Sequence, residues 1–280
     1  MPELAYVNGK IGPIEEAVVP IEDRGYNFGD AVYEYVATYN GRLFRLEEHL
    51  ERLARSMTAL FFPPVSIDSI REAIVETHQA SGIERAGIYL QISRGVDRRD
   101  HPFPQDSVPQ IVMTVRHLAE KPVSYRQHGI GVITATDFRW HRCDIKTVQL
   151  LPNVMAKQRA LDAGAFDAVF VSEEGVVREA TSSNVYIANR GTIVTHPLTE
   201  RILGGITRQV LLKVAQASGI PVAERFYTVE EMMAADEVLL TGTTTEVLPV
   251  VTVDGVPIGD GQPGPLCKTL FDALRKEAER

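Results

Sequence analysis

Residues 140–151 read WHRCDIKTVQLL, and they contain Lys146, the residue from which both the fold and the chemistry of this chain can be argued. The lysine lies among apolar residues, with Ile145 directly before it and Val148, Leu150 and Leu151 shortly after it. Apolar surroundings disfavour the charged ammonium form, and a neutral amine is a nucleophile that can form a Schiff base with a carbonyl. The ordinary alternative is a lysine whose side chain extends to solvent. The rest of the sequence must therefore supply the partners of a reactive amine.

Composition places the chain among ordinary globular proteins. It has 280 residues, 44% hydrophobic and 24% charged, which is enough for one large domain or two modest ones. The net charge of -8 argues against a nucleic-acid partner, because phosphate backbones require a basic face. The two cysteines are far apart, so no metal site is expected and reduced thiols predict a cytoplasmic protein. A signal peptide and an apolar run long enough to cross a bilayer are both absent from the sequence, so we expect no membrane association.

The first part of the chain combines hairpin signals with helical periodicity. Asn8-Gly9 and Asn40-Gly41 each stand between strand-like segments, which predicts two tight hairpins. The polar, proline-rich residues 94–109 form a loop too long to be a simple connection. Around these features the apolar spacing predicts two helices, the second capped by Ser66, and then two strands, over residues 47–60, 67–79, 87–93 and 110–116.

The second part is predicted to begin after a short linker. Pro122 discourages helix at the residue before it, so residues 120–123 are predicted to connect a domain over 1–119 with a larger one over 124–280. Strands are predicted over residues 131–138, 168–172, 185–188, 192–195, 237–241 and 247–253, and helices over residues 153–163, 207–217 and 266–278. Since helices and strands are mixed without regular βαβ alternation, the predicted fold class is α+β, with two domains that meet at a cleft.

Common catalytic signatures are missing, because the chain has no Walker A loop, no dinucleotide-binding fingerprint, no HExxH and no GxSxG. It has instead Glu179 followed by the small polar residues of 180–184, ATSSN. This is an unusual pattern for a strand and suits the floor of a pocket. A carboxylate there could pair with a pyridinium nitrogen and make the ring an electron sink. An exposed turn glutamate is the alternative.

Three further segments could bind an anion. Leu203-Gly204-Gly205-Ile206-Thr207 precedes a predicted helix, and backbone N–H groups at a helix start favour a phosphate. The hydroxyl-rich residues 241–246, TGTTTE, follow an apolar strand, although a plain turn would look the same. Arg52 lies one turn after His49 on the first predicted helix, where an arginine is usually solvated.

Together these segments resemble the fold-type IV (class IV) pyridoxal-phosphate aminotransferases over nearly the whole chain. The resemblance rests on EDRGYNFGD at 22–30, EHLERL at 48–53, CDIK at 143–146, EATSSN at 179–184 and LGGITR at 203–208. It implies a small N-terminal α/β domain and a larger C-terminal domain with a β-barrel-like sheet, with the active site in the cleft. It implies that Lys146 binds pyridoxal 5′-phosphate as a Schiff base and that Glu179 faces the pyridine nitrogen. The residues implied to hold the phosphate or to pack on the ring are Arg52, Leu203, Ile206, Thr207 and Thr243.

Within this family the chain is most similar to the bacterial D-amino acid (D-alanine) aminotransferases. Their mark is an Arg-x-His pair in the long loop, present here as Arg99 and His101. With Tyr33, this pair is expected to bind the substrate α-carboxylate, a task that guanidinium and imidazole donors suit. In the family the loop enters the neighbouring subunit's site, which implies a homodimer. Gly242 departs from the serine expected there, but its backbone N–H could still bind the phosphate.

The resemblance predicts transamination between D-amino acids and 2-oxo acids such as 2-oxoglutarate or pyruvate. The side-chain preference stays open, and so does the choice between Arg98 and Arg99 as the inward-facing arginine. Other activities share the framework, and three of them stay open too. They are a branched-chain L-amino acid aminotransferase, an aminodeoxychorismate lyase-like enzyme and an (R)-amine transaminase. A binding protein in which Lys146 is only structural is the non-enzymatic alternative.

Overall fold

The computed structural model describes residues 1–279, which form two compact units. The first unit consists of residues 1–119 together with the short segment 145–149. The second consists of residues 120–144 and the described chain from residue 150 onward. The segment around Lys146 thus belongs to the first unit, although it is far from that unit in sequence.

The first unit is a six-stranded antiparallel sheet with helices. Both predicted hairpins are confirmed, because Asn8, Gly9, Asn40 and Gly41 all have left-handed backbone with φ of 46°, 94°, 50° and 74°. A single 3-10 turn, Ile14–Glu16, follows the first hairpin. In chain order the other elements are β1 (Leu4–Val7), β2 (Lys10–Pro13), α1 (Arg24–Phe28), β3 (Ala31–Tyr39), β4 (Arg42–Leu43), α2 (Leu46–Ala59), α3 (Ile67–Ser81), β5 (Ala86–Ser93) and β6 (Gln110–His117). The strand order in the sheet is β2-β1-β6-β5-β3-β4.

The two long helices of this unit pack their apolar sides against the sheet. Leu50 and Leu53 of α2 and Ile70 and Ile74 of α3 join the buried residues of β3, β5 and β6 in one core. Ser66 caps α3, since its side chain accepts a hydrogen bond from the Ser69 N–H at 3.2 Å. Both predicted helices are therefore confirmed to within two residues.

The second unit contains a nine-stranded sheet that closes on itself. Its elements are α4 (Val123–His128), β7 (Ile130–Thr136), α5 (Leu151–Asp162), β8 (Asp167–Val171), β9 (Val177–Ala180), β10 (Asn184–Asn189), β11 (Thr192–Thr195), α6 (Ile206–Ala217), β12 (Val222–Glu224), α7 (Val229–Met233), β13 (Glu237–Gly242), β14 (Glu246–Val253), β15 (Val256–Pro257) and α8 (Pro265–Ala278). Strands β10, β13, β14, β7, β8 and β9 pair in that order, and the ring closes where Glu179 of β9 pairs with Asn184 of β10. The α+β class and the barrel-like sheet are thus confirmed.

The small polar run after Glu179, which is unusual for a strand, leaves strand structure in part. Glu179 and Ala180 are the last two residues of β9. Only residues 181–183 leave the strand, before β10 begins at Asn184. The barrel closure supplies the pairing that the local pattern does not indicate.

No helix within residues 1–279 is both long enough and apolar enough to cross a membrane. The same residues contain no group of three or more His, Cys, Asp or Glu side chains placed to hold a metal ion.

Candidate active site

Lys146 is fixed by its main chain on both sides. Its carbonyl accepts a hydrogen bond from the Tyr33 N–H at 3.0 Å, and its N–H donates to the Ser56 hydroxyl at 3.3 Å. Thr147 continues the contact as an isolated bridge to Val32 of β3. The half-buried side chain places Nζ 4.0 Å from the centre of the Tyr33 ring. An amine on a fixed backbone, above an aromatic face, is suited to repeated bond formation at one place.

The apolar neighbourhood predicted for Lys146 is only partly present. Ile145 is buried, at 5% exposure. Leu151 is 69% exposed because it is the first residue of α5 and points away from the core. The tyrosine ring, which no local pattern around Lys146 indicates, is the apolar surface that the amine contacts.

Arg52 is not a solvated helix residue. It is buried on α2, and its Nε and Nη2 donate to the two carboxylate oxygens of Glu34 at 2.8 and 2.7 Å. The Nδ1–H of His49, also on α2, donates to Glu34 Oε2 at 2.7 Å. Burial alone would raise the pKa of Glu34, but the adjacent Arg52 and His49 outweigh it and lower that pKa to about 2. Burial lowers the pKa of His49.

Arg99 and His101 lie together on the long loop. The Arg99 guanidinium carbon is 5.0 Å from the centre of the Phe28 ring, and the His101 ring is 5.7 Å from it. Both side chains are exposed in the single chain, as is Arg98. Because Arg99 shares the surface of Phe28 with His101, the structure favours Arg99 over Arg98 as the partner of the histidine.

Buried arginines hold this loop in place. Arg24 donates to the Asp100 carbonyl at 2.7 Å and, through Nε, to Asp30 at 2.9 Å. Arg94 donates to the same Asp30 oxygen at 2.8 Å. The backbone of the exposed Arg99 and His101 is therefore anchored at the loop base.

Glu179 is buried, and three donors bind its carboxylate. Arg139 donates to Oε1, while the Leu203 N–H at 3.0 Å and the Asn184 amide at 3.3 Å donate to Oε2. A carboxylate has about four acceptor positions, so one remains for a further donor. Burial raises the pKa of Glu179, and the Arg139 guanidinium opposes that rise.

Two of the candidate phosphate residues, Ile206 and Thr207, are the first residues of α6. The helix begins at Ile206, its N-cap Gly205 provides no capping side chain, and Thr207 is buried. Its first N–H groups therefore lack intrahelical partners. Gly205 is required by packing, because a Cβ there would stand 2.2 Å from Asn184 Oδ1.

Two further candidates are Gly242, the last residue of β13, and Thr243 in the hydroxyl-rich turn that follows it. Thr243 is half-buried in this turn. A Cβ on Gly242 would lie 3.2 Å from both the Ser182 carbonyl and the Ser183 hydroxyl, so glycine suits this position better than the serine expected from the family. Ser183 and Thr245 lie within hydrogen-bond distance, at 3.2 Å.

Three charged residues were not predicted from the sequence to be part of a functional site: Glu34, Asp137 and Arg139. Glu34 had a usable signal: it shares one face of β3 with Val32 and Val36, so an acid on a buried face implied a paired charge. Arg139 stands between Phe138 and Trp140, and the sequence around it carries no signal of a functional role. Only the closed barrel brings it to Glu179.

Comparisons with known proteins identify the family of the chain. The family model described as amino-transferase class IV matches residues 31–253. The D-alanine aminotransferase of Bacillus licheniformis is 43% identical over 272 residues, covering 96% of this chain and 94% of that protein. The D-alanine aminotransferase of Staphylococcus aureus strain N315 is 39% identical, covering 99% of this chain and 98% of that protein.

Solved structures with the same fold include two branched-chain aminotransferases. The Escherichia coli structure has a TM-score of 0.92 and 25% identity, covering 99% of this chain and 94% of that one. The structure from the archaeon Thermoproteus uzoniensis, with norvaline, has a TM-score of 0.88 and 27% identity, again covering 99% and 94%. Family match, full-length relatives and fold all agree, and the chain belongs to the class IV aminotransferases.

Proposed function

We propose that this protein is a pyridoxal-phosphate-dependent aminotransferase that moves amino groups between D-amino acids, of the D-alanine and D-glutamate type, and 2-oxo acids. The observation that carries the proposal is the similarity, over nearly the whole chain, to proteins named D-alanine aminotransferase. The acceptors proposed are 2-oxoglutarate and pyruvate.

The residues present fit the cofactor. Glu179 keeps one acceptor position beside three fixed donors, which suits a protonated ring nitrogen. The uncapped start of α6 suits a phosphate. Pyridoxal phosphate supplies, when bound, an aldehyde that takes up the amino group and a ring that accepts the electrons of a broken Cα–H bond.

Lys146 is proposed to perform the proton transfers. Its amine would hold the cofactor through a covalent link. When free of that link, the same amine would be the base that takes up the substrate α-proton and gives it back. The main-chain bonds to Tyr33 and Ser56 keep the amine in place for both tasks.

The other candidates are proposed to bind and orient. Glu179 would bind the protonated ring nitrogen, and Leu203 would help to hold the ring. Arg52 is held by both oxygens of Glu34, so its guanidinium orientation is fixed before the phosphate arrives. The residues proposed to hold the phosphate are Arg52, Ile206, Thr207, Gly242 and Thr243.

Tyr33, Arg99 and His101 are proposed to bind the substrate α-carboxylate. Arg99 and His101 are exposed in the single chain, which supports a role in the site of a second copy in a homodimer. The free thiols of Cys143 and Cys267 suit a reducing compartment, so the proposed location is the cytoplasm.

A branched-chain L-amino acid aminotransferase is the second candidate, because the solved neighbours carry that name. The test is a half-reaction panel in which the cofactor spectrum is followed after adding D-alanine, D-glutamate, L-leucine or (R)-1-phenylethylamine. D-alanine and D-glutamate should convert the chromophore fastest. Faster conversion by L-leucine would establish the branched-chain activity instead.

A further inference from the structure

Glu179, the proposed partner of the ring nitrogen, belongs to a cluster of four charged side chains. We call Asp137, Arg139, Arg178 and Glu179 the Asp137 cluster. Arg139 donates to Asp137 through Nε at 2.9 Å and Nη2 at 3.0 Å, and Arg178 donates to Asp137 at 2.6 Å. Arg139 reaches Glu179 with its remaining nitrogen, Nη1. The side chain of Asp137 is only 1% exposed.

The main chain fixes Asp137. It directly follows β7, and its N–H donates to the Val171 carbonyl at 2.8 Å, which extends the pairing of β7 with β8 by one residue. Its Oδ1 accepts the Arg139 N–H at 3.2 Å. This carboxylate therefore has little freedom to move and can act as a template for its neighbours.

Asp137 in turn fixes the guanidinium of Arg139. Two of its three nitrogens bind Asp137, Nη2 also donates to the Arg201 carbonyl at 3.2 Å, and Phe170 lies 4.3 Å from the guanidinium carbon. Glu179 is left with one nitrogen of a group whose plane is already set. Planar paired donors of this kind lose little entropy when they bind a carboxylate.

The charges of the cluster balance. Two carboxylates and two guanidiniums give the cluster no net charge, and their pairing offsets part of the cost of burying Glu179. Without Asp137, the Arg139 side chain would lose its Nε and Nη2 bonds to that carboxylate and keep those to Glu179 and the Arg201 carbonyl. Burial raises the pKa of Glu179, the Arg139 guanidinium opposes that rise, and the Asp137 charge adds to it, with Cys143 a further titratable group nearby. What Asp137 contributes to Glu179 is therefore the position of Arg139.

We propose that Asp137 is a positioning residue: by holding the Arg139 guanidinium, it keeps the Glu179 carboxylate directed at the ring nitrogen of the cofactor. The inference rests on the proposed function of Glu179. Asp137 would then contribute to cofactor recognition through Arg139 and Glu179, without contacting the cofactor itself.

A double-mutant cycle tests the coupling. The probe is pyridoxamine 5′-phosphate, which carries an amine instead of the aldehyde, so that its affinity for the full-length cofactor-free protein excludes the covalent link to Lys146. Kd is measured by calorimetry for wild type, Asp137→Asn, Glu179→Gln and the double variant. We expect a roughly tenfold weaker Kd for Asp137→Asn and a double variant within about twofold of Glu179→Gln alone. The proposal would be overturned if the fold-losses in affinity of the two single variants multiplied in the double variant. It would also be overturned if Asp137→Asn left Kd unchanged.

A second variant keeps the test informative if Asp137→Asn does not fold. Arg139→Lys retains the positive charge but cannot span Asp137 and Glu179 with paired donors, so it should show the same coupling to Glu179→Gln. Asp144→Asn is the matched control, because Asp144 pairs with the half-exposed Arg142 and its loss should leave Kd unchanged. A purely structural Asp137 would lower the melting temperature without coupling to Glu179. Failure of wild type to bind the probe would instead refute the proposed function.

Discussion

Arg99 and Arg98 are adjacent exposed arginines, but only Arg99 shares the Phe28 surface with His101. A charge-assisted hydrogen bond to the substrate carboxylate contributes about 1.5–3 kcal/mol. We therefore predict that Arg99→Ala raises KM for D-alanine by roughly 10- to 100-fold, measured by steady-state kinetics. Its affinity for pyridoxamine 5′-phosphate should not change.

Arg98→Ala is the control for this prediction, since it removes the same charge from the neighbouring position. Its KM should stay within about twofold of wild type. An increase in KM with Arg98→Ala that is absent with Arg99→Ala would reverse the assignment of the two arginines.

Glu34 links stability to pH. Its folded pKa of about 2 lies below the ordinary value of 4.5, so its stabilisation is complete above pH 4.5 and declines as the pH falls toward 2. The shift corresponds to about 3 kcal/mol. We predict that the difference in unfolding free energy between wild type and Glu34→Gln, measured by urea denaturation, is constant from pH 7 to about 5 and shrinks below that. A difference that stayed constant down to pH 3 would show that the Glu34 charge is unimportant.

For single residues, the sequence identified the candidate side chains more readily than the groups that surround them. Lys146 and Glu179 stand out because of the motifs they carry, yet the pairing of Arg52 with Glu34 was not predicted. An arginine at that position of an amphipathic helix usually reaches solvent. Glu34, the acid that pairs with the buried Arg52, lies 18 residues earlier in the chain, on β3.

Among the elements, α6 depends on close packing at its first residues. Gly205 precedes the helix, and a Cβ there would stand 2.2 Å from Asn184 Oδ1, whereas a Cβ on Gly204 would meet only Leu198 Cδ2 at 3.6 Å. We predict that Gly205→Ala displaces Asn184, weakens pyridoxamine 5′-phosphate binding by roughly tenfold and lowers thermal stability, while Gly204→Ala does neither. Calorimetry and thermal melting check both variants. Equal effects from the two alanines would remove the special role of Gly205.

Elements with strong local signals were predictable, and those defined by tertiary pairing were not. Asn-Gly turns and helical periodicity identified both hairpins and the long helices. The short helices α1, α4 and α7, of five, six and five residues, offer too few turns for a periodic pattern. Strand β9 is recognisable only from its antiparallel pairing with β8 and from the single residue pair with β10 that closes the ring.

For the whole molecule, the proposed homodimer predicts complementation between two defective variants. If Arg99 serves the site of the second copy, a mixed dimer of Lys146→Ala and Arg99→Ala contains one complete site. Refolding the two variants together should restore about a quarter of wild-type activity at low D-alanine, because half of the dimers are mixed and each has one working site. Each variant refolded alone is the control. No recovery in the mixture would show that Arg99 acts within its own subunit or elsewhere.

The proposed activity depends on the amine of Lys146 carrying the cofactor. Borohydride reduction of the protein loaded with pyridoxal phosphate, followed by proteolysis and mass mapping, locates the attached lysine directly. We predict one phosphopyridoxyl adduct, on Lys146, which disappears when D-alanine is added before reduction. An adduct on another lysine, or one that D-alanine leaves unchanged, would contradict the account.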